Sequence, residues 1–337
     1  MAVLAGRKNP HDIVFKKSVE PKGEFSKGHD FGKNLSLDEF IDAYYSVGFQ
    51  ATHLGKAIKL VRQMRKEKVR IFFGFTSNII SSGLRDIITW LAKHRHVQVM
   101  VTTAGGIEED IIKTHRPFLL GDFRADGVKL REKGINRTGN LFVPNERYIW
   151  YEKFVQRLLK RLYAEQKKTG KVFSTREFVS ELGRELELRK TPNKESSFIY
   201  WAFRNNIPVF CPGLIDGATG DNVYFFKKEN PDFLLDTSKD VIEMDDLSIQ
   251  AEKTGALIIG GALPKHFIMN ANQLREGADF TVYINTAVES DGSDAGASPE
   301  EAKSWGKAAA NENSVKVWAD ATIAFPLLVY RAFKEKI

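Results

Sequence analysis

The chain has 337 residues, 42% hydrophobic and 11% aromatic, with 50 Lys and Arg against 43 Asp and Glu, a formal charge of +7. That much apolar side chain excludes a disordered or low-complexity scaffold and suffices for a large core in one or two domains. A single cysteine, Cys211, excludes an intramolecular disulfide and fits a reducing cytoplasm; no Cys or His cluster has zinc spacing, and no apolar run is long enough for a membrane span.

Residues 1–35 are polar, rich in Lys and Gly and without periodicity, so they are expected to form an arm outside the core. Their opening, MAVLAGRKNPHDIVFKK, lacks the apolar run of a signal peptide. No Pro/Gly/Ser-rich linker follows, and 36–337 reads as one domain. Ser36-Leu37-Asp38-Glu39 is a capping box that opens a helix with Phe40, Tyr44 and Tyr45 on one face; the next helix spaces Leu54, Ile58 and Val61 for burial. Beyond it, apolar runs at 69–75, 97–103, 207–213, 255–261, 280–286 and 315–321 alternate with segments long enough for crossover helices. Continuous Val/Ile/Phe runs alternating with helices predict a doubly wound, mostly parallel α/β sheet of Rossmann-like type. The stretch 150–190 predicts an inserted helical pair, striped by Phe154, Leu158 and Leu162 and then by Phe178, Leu182 and Leu186. Lys and Arg lie along helices such as KLVRQMRKEK at solvated positions, which argues against nucleic-acid binding despite the positive charge.

Ligands of open parallel sheets bind beyond the carboxyl ends of the strands. There the runs end in Thr76-Ser77-Asn78, Thr103-Ala104-Gly105-Gly106, GLIDG at 213–217, Gly260-Gly261-Ala262, Thr286 leading on to Asp291 and Asp294, and Ala319-Asp320-Ala321. Each alone is ordinary turn chemistry; six together predict a nucleotide pocket, with small residues admitting a flat ligand and Asn, Thr and Asp meeting ribose and phosphate. The G-x-G-x-x-G fingerprint and the P-loop are both absent, so a dinucleotide would be held by a variant of the usual pattern and a kinase or ATPase is disfavoured. Carboxylates form a second layer: Glu108, Glu109, Asp216, Asp221, Asp291, Asp294 and Glu301. His266 follows Lys265 on the same rim as a candidate proton acceptor.

Residues 291–307, DGSDAGASPEEAKSWGK, concentrate this chemistry. Four carboxylates precede Trp305-Gly306-Lys307, a set suited to a cationic substrate and an amine nucleophile. The plainer reading is a helix started by a Ser298-Pro299-Glu300-Glu301 capping box.

Seven ordered blocks carry a resemblance to a known family: TSNIISSGLRD (76–86), VTTAGGIEEDIIK (101–113), GINRTGNLFVPNERY (134–148), IPVFCPGLIDGATGD (207–221), GGALPKHFIMNANQLREGADFTVYINTA (260–287), ESDGSDAGASPEEAKSWGKA (289–308) and VKVWADATIAFPLL (315–328). Together they resemble deoxyhypusine synthase from about Asp30 onward. The resemblance implies an enzyme that uses NAD and spermidine to place a 4-aminobutyl group on one lysine of the precursor of translation initiation factor 5A. Lys307 matches the family's nucleophile, which captures the butylamine unit as an imine, and His266 its proton acceptor. Ser77, Asn78, Ser81, Thr103, Ala104, Gly105, Glu109, Asp216, Gly261, Thr286, Asp320 and Ala321 fall on NAD-contacting positions. Glu108, Asp221, His266, Gly292, Ser293, Asp294, Glu301 and Trp305 fall on the polyamine site, with Glu109 also at its margin. Ala262 and Ala295 depart from the family, which has Gly and Ser there in many members. The resemblance further implies a homotetramer with sites at subunit interfaces, and an N-terminal arm that covers a neighbour's entrance. Two alternatives share these motifs: a homospermidine synthase that uses putrescine as acceptor, and a catalytically silent paralogue.

Overall fold

The computed structural model describes residues 9–334. Among them run nine strands: β1 (Arg70–Phe75), β2 (Val99–Val101), β3 (Leu119–Leu120), β4 (Ile135–Thr138), β5 (Leu141–Pro144), β6 (Val209–Phe210), β7 (Thr254–Ile259), β8 (Phe280–Asn285) and β9 (Ser314–Trp318). Six of them form one parallel sheet in the order β6-β2-β1-β7-β8-β9, so each of the six apolar runs supplies a strand and the fold is α/β. The other three form a small antiparallel sheet, β3-β5-β4, that apolar periodicity does not reveal because its strands are short and mostly no more than half-buried.

Both faces of the parallel sheet are covered, which is why its strands read as continuous apolar runs. Side chains alternate between two cores. Ile71, Phe73 and Phe75 of β1 enter the first and Phe72 the second; Leu257 and Ile259 of β7 enter the first, Ala256 and Ile258 the second. Each fully buried Phe contributes about 1.5–3 kcal/mol. Helices Phe49–Lys66, Leu84–Lys93, Ala104–His115 and Ala321–Phe333 cover the first face, joined by the pair Glu146–Thr169 and Thr175–Leu188. Helices Ser238–Ile249, Ala262–Gln273 and Pro299–Ser304 cover the second. Gly74 of β1 lets helix Ala262–Gln273 settle closely: a Cβ there would lie 2.8 Å from Ile268 Cδ1.

The chain steps from β1 to β2 to β6 in one direction, then restarts at β7 and steps through β8 and β9 in the other. With right-handed crossovers, that reversal moves the connecting helices to the opposite face and opens a crevice between the carboxyl ends of β1 and β7. The edge strand β9 is closed by side chains of helix Phe49–Lys66: Gln50 accepts the Trp318 backbone N–H (2.7 Å), and the His53 ring meets the Lys316 carbonyl (2.9 Å). Such side-chain pairing blunts an edge against strand addition.

Of the expected arm, residues 1–8 lie outside the described residues. The remainder holds one short helix, Pro10–Val14, and exposes Ile13, Val14, Phe15, Val19, Phe25 and Phe31. It is tied down where the Lys27 N–H donates to the Ser46 carbonyl (3.0 Å) and where the His29 ring meets the Phe40 carbonyl (2.8 Å). The capping box at Ser36 and Glu39 forms in both directions and starts helix Leu37–Val47.

Candidate active site

Lys307 owes its position to the three residues before it. Helix Pro299–Ser304 ends at Trp305, and Gly306 takes the left-handed conformation (φ 68°) that glycine adopts without steric cost. The Gly306 N–H then donates to the Lys303 carbonyl (3.0 Å) and the Lys307 N–H to the Ala302 carbonyl (2.9 Å), the two bonds of a Schellman turn. The Lys307 carbonyl accepts from Ala278 N–H (3.1 Å), which ties the turn to the sheet. The Ser-Trp-Gly-Lys motif is therefore a helix stop that aims one lysine.

Its amine lies 3.4 Å from His266 Nε2 and 5.5 Å from the centre of the Trp305 ring. His266 stands in helix Ala262–Gln273, directly after β7, with Asn270 one turn on and its amide 3.4 Å from Nδ1. An amide serves either imidazole tautomer by turning its nitrogen or its oxygen to the ring. Lys265, His266, Met269, Tyr283, Gly292, Asp294, Glu301, Trp305 and Lys307 are among the residues that line a cavity of about 250 Å³. Two polar atoms in its wall, Asp294 Oδ2 and the Tyr283 hydroxyl, are buried without a hydrogen-bond partner. Burial, with the Asp294 charge nearby, pushes the Tyr283 hydroxyl far above its ordinary pKa, so it stays neutral and able to donate. A buried unpaired acceptor beside a buried unpaired hydroxyl is a place for a ligand that donates.

Of the four carboxylates between 291 and 301, only Asp294 and Glu301 turn to this cavity. Asp291 accepts the Ser293 N–H (2.8 Å), and Glu300 pairs with Lys303 (2.6 Å) at the surface. The expected capping box at Ser298 does not form. Ser298 occupies the N-cap and Pro299 the first helical position, but the Ser298 side chain makes no capping hydrogen bond, and Glu301 faces the cavity instead of reaching back.

A second group gathers on the first face of the sheet. Glu108 and Glu109, 5% and 7% exposed, lie in helix Ala104–His115 after β2. Glu108 accepts the Thr219 N–H (2.9 Å) and hydroxyl (3.3 Å), and burial raises its pKa against those bonds. Gly217 passes so close that a Cβ would lie 2.9 Å from Glu108 Oε1. Burial raises Glu109 to about 7, opposed by a short hydrogen bond from the Ser81 hydroxyl and by Lys113. Lys113, drawn down to about 8 chiefly by burial, donates to the carbonyls of Ile80 (2.6 Å), Ser81 (2.6 Å) and Ser82 (3.1 Å), the end of helix Ser77–Ser81. The Ser77 N–H donates to Thr103 Oγ1 (3.1 Å), and a Cβ on Gly105 would lie 2.8 Å from Ser77 Cβ. Ser77, Ser81, Thr103, Ala104, Gly105 and Glu109 are thus one cluster beside the crevice, with Asn78 exposed at its rim.

The other singled-out residues spread along the same edge. Gly261 abuts the next loop, its would-be Cβ 2.6 Å from Ala295 Cα. The Thr286 carbonyl accepts from the Trp318 indole N–H (2.8 Å). Asp320 caps helix Ala321–Phe333 by accepting the Thr322 N–H (2.7 Å) and hydroxyl (2.5 Å). Asp216 and Asp221 are exposed, Asp216 in the loop after β6 and Asp221 in the first turn of helix Ala218–Glu229. Ser293 is exposed and does not line the Lys307 cavity; neither do Glu108 and Asp221, whose elements sit across the sheet from it. Sequence reading alone does not pick out Tyr283, Asn270 or a role for Lys265. A tyrosine and a lysine at otherwise apolar buried positions are the signal that marks two of them.

Among the described residues, no three His, Cys, Asp or Glu are grouped to hold a metal ion, and no helix is long and apolar enough to cross a membrane.

Residues 39–332 match the family model "DS: Deoxyhypusine synthase". A Pyrococcus furiosus protein named "Probable deoxyhypusine synthase" is 48% identical over 97% of this chain and 99% of its own length. The deoxyhypusine synthase of Senecio vernalis is 44% identical over 97% of this chain and 94% of its own. The crystal structure of a deoxyhypusine synthase candidate from Entamoeba histolytica superposes with a TM-score of 0.67 at 29% identity, covering 91% of this chain and 96% of that one. A match over most of the chain, with such identities over nearly its full length, means that this chain belongs to the deoxyhypusine synthase family and is an enzyme, a transferase.

Proposed function

We propose that the chain transfers the 4-aminobutyl group of spermidine to a lysine of the translation initiation factor 5A precursor, with Lys307 as nucleophile and NAD as cofactor. The observation that carries this reading is the Lys307 cavity, where an amine sits 3.4 Å from His266 and two buried polar atoms, on Asp294 and Tyr283, await a donor. A polyamine satisfies that demand. Its ammonium groups pair with Asp294 and Glu301, and the Trp305 face, 61% exposed, offers a wall for cation–π contact. Lys307 is placed to bond the four-carbon unit as an imine while 1,3-diaminopropane leaves, and His266 to take the proton its attack releases. The acceptor lysine then exchanges onto that imine.

The crevice between β1 and β7 suits a Rossmann-like dinucleotide site without the usual fingerprint. Gly260 takes φ 89°, and Ser77, Thr103 and Glu109 supply polar atoms along this rim, a donor set that suits NAD. When bound it supplies hydride acceptance and return. Ser77, Asn78, Ser81, Thr103, Ala104, Gly105, Glu109, Asp216, Gly261, Thr286, Asp320 and Ala321 are the residues that would hold it.

A second copy supplies what one chain keeps apart. Glu108 and Asp221 lie across the sheet from Lys307, and helix Ala218–Glu229, which carries Asp221, exposes Tyr224 and Phe225 beside Ile215. We read this as a homotetramer whose sites form between subunits, with residues 1–35 as the arm that covers a neighbour's entrance and 36–337 as the catalytic domain. Purified protein, given NAD and labelled spermidine, is expected to release 1,3-diaminopropane and, with precursor protein present, to label it. Label passing to putrescine instead would overturn the acceptor, and undiminished transfer by Lys307→Ala would overturn the nucleophile.

A further inference from the structure

Asp294 brings a carboxylate to the cavity with no side-chain hydrogen bond among the described residues, so its aim is set by the backbone beneath and by the nearby Lys265 charge. That backbone, segment 294–297, belongs to no helix or strand. Three of its four carbonyls accept from lysine ammonium groups. Lys265, from helix Ala262–Gln273, donates to the carbonyl of Asp294 in a short hydrogen bond and to that of Ala297 at 2.9 Å; Lys316, from β9, makes a short hydrogen bond to the carbonyl of Gly296. Two close backbone contacts complete the hold. A Cβ on Gly261 would lie 2.6 Å from Ala295 Cα, and one on Gly296 would lie 1.8 Å from the Val288 carbonyl oxygen.

Lys265 is 2% exposed, with its amine 4.7 Å from the Tyr283 ring centre. Burying an ammonium is unfavourable, and an apolar side chain of similar volume would serve packing better. Its hydrogen bonds go to carbonyls rather than to a carboxylate, which returns less for that burial even with the Asp294 charge nearby.

We infer that Lys265 and Lys316 are positioning residues, a two-lysine clamp that fixes segment 294–297 and thereby the Asp294 carboxylate against the substrate ammonium. The clamp rests on the reading of this cavity as a polyamine site. It acts through backbone carbonyls; Lys265 also lines the cavity, with the Asp294 charge nearby, whereas Lys316 does not line it. Its consequence is selectivity: the position of one ammonium along the polyamine is set by two cations that hold the loop backbone under Asp294.

The test uses the full chain with NAD and steady-state kinetics in spermidine. Lys316→Met is expected to raise the spermidine KM about tenfold with kcat within about twofold, and Lys316→Arg to restore KM to within about threefold. The NAD dissociation constant serves as the control and stays unchanged. Because the clamp works through Asp294, Lys316→Met added to Asp294→Ala is expected to raise KM no further than Asp294→Ala alone. A Lys316→Met protein with lowered melting temperature but unchanged KM, or full additivity with Asp294→Ala, overturns the clamp. Unchanged KM in Asp294→Ala itself overturns the polyamine reading beneath it, a separate outcome. Lys265→Met is expected to act in the same direction; should it fail to fold, Lys316→Met decides alone.

Discussion

On one face of the sheet, Glu108 and Glu109 receive hydrogen bonds from Thr219 and Ser81, and Lys113 stands beside Glu109. On the other, Asp294 Oδ2 and the Tyr283 hydroxyl have no hydrogen-bond partner among the described residues. The first pair belongs to the fold: its carboxylates are oriented before any ligand arrives, and burial works on their protonation. The second pair is left open to a molecule from outside, since a buried polar atom without a partner costs about 1–3 kcal/mol until something supplies it. Partnered carboxylates are thus fixed by the fold, and an unpartnered one leaves its cavity open to a donor.

The largest expected effect falls on the open side. Lys307→Ala should lower aminobutyl transfer by about a thousandfold or more, with little change in melting temperature, because Lys307 lies past the end of its helix. Loss of stability without loss of transfer would show that Lys307 is scaffold instead.

The partnered side should reveal itself through pH. Glu109 has its folded pKa raised to about 7 from 4.5, so between those values the folded state keeps a proton that the unfolded chain has released. Stability contributed by this group is therefore fully present below pH 4.5 and is lost as pH rises toward 7, by up to about 3 kcal/mol. Denaturant titrations of wild type and Glu109→Gln across that window should diverge, with the variant flatter; parallel curves would mean that Glu109 is already ionised.

A smaller effect separates the two kinds of buried polar group. Tyr283→Phe removes a hydroxyl that nothing in the chain pairs, so unfolding stability should stay within about 0.5 kcal/mol or rise, while the spermidine KM increases about five- to tenfold. Ser81→Ala, by contrast, strips a partner from buried Glu109 and should destabilise by about 1–2 kcal/mol. If Tyr283→Phe destabilised as much, the open-side reading would be wrong. The smallest change tests strain at the start of the His266 helix. Ala262 sits at φ 51°, where a non-glycine residue is unfavourable, and Ala262→Gly should stabilise by about 0.5–1 kcal/mol in a thermal melt.

The parallel sheet was legible because burial on two faces demands unbroken apolar runs such as RIFFGF and FTVYIN, and a run of that kind carries its own signal. The small antiparallel sheet was not, since Leu119 and Leu120 make a two-residue strand on the surface, with too little burial to impose a pattern. Trp305-Gly306-Lys307 announced a site, and the structure adds the Schellman turn that explains the glycine. The capping box proposed at Ser298 failed for a related reason: the residue types match, but Glu301 faces the cavity and leaves the Ser298 N–H without its side chain.

What the amino-acid sequence determined by itself was the local material: six buried strands, the helices between them, and a polar residue at nearly every strand end. Which of those ends share a space was decided only by the tertiary structure. The reversal of strand order between β1 and β7 sends helix Ala104–His115 to one face and helix Ala262–Gln273 to the other, so Glu108 and His266, each in the helix that follows a strand's carboxyl end, stand on opposite sides of the sheet. The physical reason is that periodicity reports burial, a property of each residue, whereas contact between distant segments depends on the order and handedness of the crossovers, which no single segment encodes.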